Sequence, residues 1–376
     1  MQNSHRQSTF HIYIACVGLM VFCSLLFSSC AQLPIQNYSQ VLKENEHAPI
    51  YSIVCIVHGD NNYIYHDTTG NKLSADKETI TQIIRVAQQN QNAEVFIFHQ
   101  KPASNFLLFF PTKDGDFYYY RNGQLIANES YWRDQKESQL NPELELFNSY
   151  SADNKSEMKK IFLYFGHQIP EYGGEGYDES YPERTFTVSD LATGLINFLG
   201  DSEKFDMSIL STCYGGTPFT IDKLGALSKI IIASPENLHL SYFDLAPLEQ
   251  LDEKLRIGNN ISFAKNFAQN AFDKLTMNVQ TSVSIAIYDV DSTKQYLNEI
   301  RMSYTNTLTN LKLQFQTFPS IVKQCDCAEL PSYLLPQMNK GVTIFYRPAR
   351  FGRLKNKQNH SGWECWKYDA KITNIR

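Results

Sequence analysis

The chain has 376 residues, 43% hydrophobic and 19% charged, with 24 Phe and 22 Tyr. That composition excludes a disordered chain and fills one large domain or two ordinary ones. A formal charge of −5 argues against a polyanion such as nucleic acid as partner, and eight cysteines are too few for a disulfide scaffold.

The N-terminus reads as a targeting segment. Residues 1–11 hold one base, Arg6, and no acid, and an apolar run follows from Ile12 to Phe27. The run is short for a spanning helix and suits the core of a signal peptide. It ends in Leu26-Phe27-Ser28-Ser29-Cys30. Small residues before a cysteine resemble the bacterial lipobox, in which the chain is cut before a cysteine that becomes lipidated, although Phe27 stands where Leu is usual. A plain secretory signal cut near Ala31, or a retained anchor, are the alternatives, and all three export the chain. Residues 1–29 are therefore expected to be a lipoprotein signal peptide, Cys30 the lipidation site and 30–48 a polar tether. The location expected is a bacterial membrane, on its periplasmic or cell-surface side. Removing residues 1–29 leaves 33 bases against 39 acids.

Residues 49–350 read as one domain, with 351–376 as an extension packed on it. Tyr51–Val57 is a continuous apolar run rich in β-branched residues, which predicts a strand buried on both faces, ending at His58-Gly59-Asp60. Ile80, Ile83, Ile84 and Ala87 have helical spacing, and Ser74 is placed to cap that helix. Val95–Phe98 predicts a second buried strand, so the unit is β-α-β with parallel strands. Phe106–Phe110 and Phe117–Tyr120 are expected to pair as a hairpin, with a further turn at Asn122-Gly123. Lys160–Phe165 predicts a third buried strand, closing on Gly166-His167. A glycine-rich loop runs to about Arg184. Thr187–Leu199 is amphipathic. Phe205–Leu210 and Lys229–Ala233 predict two more strands. Asn259–Leu275 and Ser292–Phe315 are the main later helices, and Gly341–Tyr346 is a late strand. Strands alternating with helices predict an α/β sheet covered on both faces, with helical additions in the C-terminal half.

In such a sheet the loops after the strands build the site. His167 follows one strand directly, and Cys213 sits three residues beyond the next. If those strands adjoin, their ends lie about 5 Å apart, and a cysteine–histidine pair is plausible. A thiolate attacks a carbonyl, the imidazole handles the proton of the leaving amine, and backbone N–H groups near Cys213 and after His167 hold the oxyanion. Gly215 and Gly216 let the backbone pass close to a substrate. The plainer reading is that each is an ordinary strand-end residue, as Cys55 is expected to be a buried apolar one. A metal or phosphoester site at His58-Gly59-Asp60 is also conceivable but lacks a second ligand cluster, so no metal is expected.

The two blocks, Ile161–His167 (IFLYFGH) and Phe205–Cys213 (FDMSILSTC), resemble the clostripain family of cysteine peptidases, in the clan of caspases, legumain and gingipains. The clan pattern is a hydrophobic strand ending in His-Gly, then one ending in Asp/Glu-Ala-Cys or a close variant. Ile230–Glu236 and Gly341–Pro348 resemble later family segments. The resemblance implies a caspase–haemoglobinase-like α/β/α sandwich around a mostly parallel sheet. It implies Cys213 as nucleophile, His167 as proton donor, and Gln168 and Cys213 as backbone donors to the oxyanion. The substrate implied is a protein or peptide, with no cofactor required, calcium aside. Three departures stand out. The family's Gly after His is Gln168, its Asp two residues before Cys is Ser211, and its Ala before Cys is Thr212. Without a carboxylate at Ser211, preference for a basic residue before the scissile bond is in question, and Glu236 is the substitute charge. Gln168 and Ser211 motivate a rival reading, a catalytically weakened binding or scaffold lipoprotein. Arg184 is a candidate for self-cleavage. Cys365 is expected to pair with Cys325 or Cys327, or all three stay free.

Overall fold

The structure is a computed structural model. It describes residues 48–363 apart from 61–62, 67–69, 108, 134–139, 152–157, 201, 239–242, 252–258 and 298–340. The signal, Cys30 and tether expectations, the cysteines at 325, 327 and 365, and most of the helix expected at Ser292–Phe315 lie outside these residues. The chain is helical from 290 to 297, where description stops. Among the described residues, no helix is long and apolar enough to cross a membrane.

The first apolar run forms β1 (Tyr51–His58), buried along its whole length. A small antiparallel pair, β2 (Ile64–His66) and β3 (Lys72–Ser74), leads into helix α1 (Ala75–Gln89) and then β4 (Ala93–Gln100). Ser74 is the N-cap residue of α1, but its hydroxyl bonds the Asp76 carboxylate rather than a helix N–H. β4 is parallel to β1, as a crossover helix dictates. The hairpin expectation is corrected here. Phe106 and Phe110 pair with each other in a short excursion, β5 (Asn105–Phe106) with β6 (Phe110–Pro111), and Phe117–Tyr120 belongs to β7 (Gly115–Arg121). β7 turns at Asn122-Gly123 into β8 (Gln124–Tyr131). Asn122 and Gly123 both take positive φ, which is what a tight two-residue hairpin needs.

After α2 (Asn141–Tyr150) come β9 (Lys159–Phe165), α3 (Val188–Ile196), β10 (Met207–Ser211), α4 (Pro218–Gly225) and β11 (Ile230–Ala233). Thr187 and Asp190 form a reciprocal capping box on α3, and Thr217 caps α4 with Pro218 in its first turn. The long helix α5 (Asn260–Asn278), β12 (Val283–Asp289) and β13 (Val342–Arg347) complete the fold.

Nine strands form one sheet in the order β13-β12-β11-β10-β9-β1-β4-β7-β8. The central five, β11 to β4, are mutually parallel, and antiparallel pairs close both edges. Alternate residues of β1 feed two cores. Ile53, Cys55 and Val57 pack with α1 and α5 on one face, and Val54 and Ile56 with Leu140, Phe147, Leu191 and Leu224 from the α2, α3 and α4 side on the other. The protein is thus a mixed α/β sandwich with a largely parallel central sheet covered on both faces.

Candidate active site

The parallel ladder of β9 and β10 pairs Phe165 with Ser211. His167 and Cys213 each stand two residues beyond that pair, on neighbouring strands about 4.8 Å apart. Both therefore emerge at the carboxyl edge of the sheet, where side chains leave the ladder and become available to a ligand. The Gly166 N–H donates to the Ser211 carbonyl at 3.3 Å, carrying the contact between the two strands one step further. Gly166 is required at this step, because a Cβ there would run into the Tyr164 hydroxyl and come within 3.0 Å of the His58 Cβ.

His167 is held from several directions. Its carbonyl accepts from the Thr212 hydroxyl at 2.7 Å and from the Tyr164 hydroxyl at 3.2 Å. Its ring stacks on Tyr63, with centroids 4.3 Å apart. Its Nε2 lies 3.1 Å from Asp60 Oδ1 and 3.0 Å from Asp60 Oδ2. A carboxylate only accepts, so Nε2–H is the donor in this contact and Nδ1 is the ring nitrogen left for chemistry. The Asp60 side chain is fully buried, while 29% of the His167 side chain is exposed. Asp60 is fixed in turn by the loop that follows His167. The Glu179 N–H donates to Asp60 Oδ2 at 3.3 Å, and the Ser180 hydroxyl donates to the Asp60 carbonyl at 3.2 Å.

Cys213 opens the turn between β10 and α4. Its thiol donates to Asn237 Oδ1 at 3.1 Å. The next residue, Tyr214, adopts φ +52°, a left-handed conformation that is costly for a residue with a Cβ and recurs at functional sites. The Tyr214 N–H is tied to the Glu236 carbonyl at 3.0 Å, and the Gly216 N–H to the Ser234 carbonyl at 2.9 Å. Among the described residues the Gln168 N–H meets no acceptor. A small, largely apolar cavity touches Cys213 and is walled by Ile169, Leu191, Leu210, Thr220 and Leu224. It is too small to admit an amino-acid side chain.

The other residues singled out from the sequence fall elsewhere. Ser211 is buried, and its hydroxyl accepts the Phe243 N–H at 3.1 Å. Glu236 meets Lys357 Nζ at 3.1 Å and His360 Nε2 at 3.4 Å. Burial alone would raise its pKa, but the hydrogen bonds and charges of His360 and Lys357 outweigh that and lower it to about 2. Its charge is therefore already matched inside the protein. Two expectations are corrected by burial. His58 is a core residue, 3.1 Å from Asp178 and stacked on Tyr177, and burial foremost pushes its pKa down. It cannot reach a substrate as part of a separate His58–Asp60 hydrolase site. Arg184 is not an exposed cleavage site. It pairs with Asp114 at 2.7 Å and lies over the Tyr181 ring, with 6% of its side chain exposed.

Asp60 in this role, Tyr63 and Asn237 were not anticipated. Asp60 had a signal, since His58-Gly59-Asp60 ends a strand next to the one that ends in His167. Asn237 had none, because nothing in the local sequence points its amide at Cys213. The group Asp60, His167 and Glu179 was also missed, because its members are separated by 107 and 12 residues; one ligand atom of each lies within 4.8 Å of the others.

No family model and no curated protein matches the chain. Among solved structures it is similar to a secreted C11 cysteine protease from Bacteroides thetaiotaomicron, at 11% identity over 69% of this chain and 72% of that one, with a TM-score of 0.49. A secreted C11 cysteine protease from Bacteroides thetaiotaomicron in complex with an irreversible peptide inhibitor gives 11% identity, 68% and 71% coverage and a TM-score of 0.48. An inactive zymogen C11 protease from Parabacteroides distasonis gives 14% identity, 78% and 74% coverage and a TM-score of 0.47.

Proposed function

We propose that the chain is an exported, lipid-anchored cysteine endopeptidase of the clostripain type, acting on protein or peptide substrates. The observation that supports this reading is the β9–β10 register, which pairs Phe165 with Ser211, each two residues before His167 and Cys213. Export and lipid attachment rest on the apolar run and the Ser28-Ser29-Cys30 sequence. In this reading the Cys213 thiol gives its proton to His167 Nδ1 and the sulfur attacks the scissile carbonyl carbon. The N–H groups of Gln168 and Cys213 receive the developing oxyanion. As the C–N bond breaks, the His167 imidazole gives its proton to the leaving amine. Water then attacks the thioester, His167 Nδ1 takes a proton from it and returns that proton to the departing sulfur, and the carboxylic acid product leaves the restored thiol.

Asp60 is a positioning residue. Its contact with Nε2 leaves Nδ1 as the nitrogen that exchanges protons with the substrate, and its burial keeps the ring from turning. The internal neutralisation of Glu236 and the burial of Ser211 supply no free carboxylate at those two positions, so a preference for basic residues is not expected from them.

The test is a peptide-library digest by the purified chain beside Cys213→Ala, with labelling by an acyloxymethyl-ketone probe. Cleavage and labelling that both vanish in Cys213→Ala support the peptidase. Labelling no higher than in Cys213→Ala refutes it and leaves a binding or scaffold protein on the same fold.

A further inference from the structure

We propose that Asp60, His167 and Glu179 form a zinc site, and that zinc bound there switches the peptidase off; the inhibitory part rests on the function proposed above. His167 offers a ring nitrogen, and Asp60 and Glu179 each offer a carboxylate oxygen, with the three atoms within 4.8 Å of one another. Tetrahedral zinc holds nitrogen and oxygen ligands at about 2.0–2.2 Å, which puts neighbouring ligand atoms about 3.3 Å apart. Asp60 Oδ2 and His167 Nε2, 3.0 Å apart, are already near that spacing. Glu179 is exposed, so its side chain can close the remaining gap without disturbing packing.

The rigidity of the site is distributed as a metal requires. Asp60 is buried and oriented by the Glu179 N–H and the Ser180 hydroxyl, and the ring of His167 is stacked on Tyr63. Such outer contacts aim the ligands before the ion arrives. The exposed parts of His167 and Glu179 give a hydrated ion its way in. Charge also favours a cation, because two carboxylates meet one imidazole here. An imidazole with two carboxylates suits zinc. Calcium takes six to eight oxygens and magnesium demands an oxygen octahedron, and neither is offered. The Cys213 sulfur is outside the group, so the fourth position falls to water.

The inhibition follows from the tautomer. Zinc takes the Nε2 lone pair, and the ring proton moves to Nδ1. The Nδ1 lone pair that exchanges protons with the substrate is then gone, while Cys213 stays chemically intact.

The experiment is zinc titration of the full-length chain against a chromophoric zinc chelator, in wild type, Cys213→Ala, Asp60→Asn and Glu179→Gln. One zinc per chain is expected, unchanged within about twofold in Cys213→Ala and weakened at least about tenfold in Asp60→Asn and Glu179→Gln. Millimolar calcium should not displace it. Glu179 is exposed, so a circular-dichroism melt matching wild type will separate lost binding from lost folding. In wild type, zinc should slow probe labelling of Cys213 and EDTA should restore it, while Glu179→Gln should resist zinc at the same concentration. Equal affinity in wild type, Asp60→Asn and Glu179→Gln overturns the site, as does loss of binding in Cys213→Ala, which would make sulfur the ligand. Zinc binding with no labelling of the metal-free wild type keeps the site and refutes the peptidase.

Discussion

The loop from Gln168 to Phe186 is stapled by buried charge to the chain just before β7 and just after β8, and Arg184→Ala measures how much that staple contributes. Arg184 meets Asp114 at 2.7 Å, with 6% and 1% of their side chains exposed. Asp114 also accepts the Arg133 N–H at 2.9 Å, and Arg133 reaches Asp178 of the same loop at 3.0 Å. Removing one partner of a buried pair leaves an uncompensated charge and typically costs about 3–5 kcal/mol. For a domain of this size each kcal/mol shifts the melting temperature by about 2–4 °C, so a drop of about 6–20 °C is expected. Differential scanning fluorimetry reads the shift, and urea unfolding reads the free energy. The double variant Asp114→Asn/Arg184→Met should recover at least half of the loss, because no lone charge remains and the amide oxygen still accepts the Arg133 N–H. A loss below about 1 kcal/mol in Arg184→Ala, or ready tryptic cleavage after Arg184 in the native protein, would refute the account of a buried clamp.

Further outcomes are expected elsewhere in the molecule. Iodoacetamide should label Cys213 and spare Cys55 in the folded chain, since complete burial pushes the Cys55 thiol far above its ordinary range; peptide mapping checks this, and equal labelling of the two would refute it. Burial raises the Glu171 carboxyl to about 7, against a partial lowering by its Thr217 hydrogen bond. A carboxyl raised on folding binds its proton more tightly in the native state, so it lowers stability as pH climbs from about 4.5 to about 7. Glu171→Gln should flatten that part of a melting-temperature profile, and an unchanged slope counts against it. Glu236, held at about 2, has the opposite sign: its contribution is present above about 4.5 and is lost as pH falls towards 2, so Glu236→Gln should blunt the acid end of the same profile. In the peptidase proposed above, Asp60→Asn should reduce cleavage by about tenfold or more with little change in KM, because the Asp60 side chain is fully buried; an unchanged kcat refutes its positioning role.

Legibility in the sequence followed the physics of each segment. The runs at Tyr51–Val57, Lys160–Phe165 and Phe205–Leu210 could be recognised as strands because burial on both faces leaves no polar alternation, and the sheet confirms each. Thr187–Leu199 was legible as a helix because its apolar residues recur at helical spacing, and the capping box at its start is a local device that went unread. The pairing of Phe106 with Phe110 was not, since partner choice among short aromatic strands depends on the closing turn. At the site, residues 167 and 213 were legible because each closes a strand. Their neighbours were hidden for different reasons. Asp60 carries its role only through a contact across 107 residues of chain. Arg184 read as a loop arginine because charge in a sequence does not reveal whether a partner waits in the interior, and here Asp114 does.

The pairing of Phe165 with Ser211 also governs which changes of length the protein can absorb over evolutionary time. The segment between α3 and β10 can gain or lose residues without shifting that register, because the ladder pins Phe165 against Ser211. A single deletion inside Met207–Ser211 is another matter. It would turn each following side chain to the opposite face of the sheet, Cys213 included, while leaving the rest of the sequence untouched.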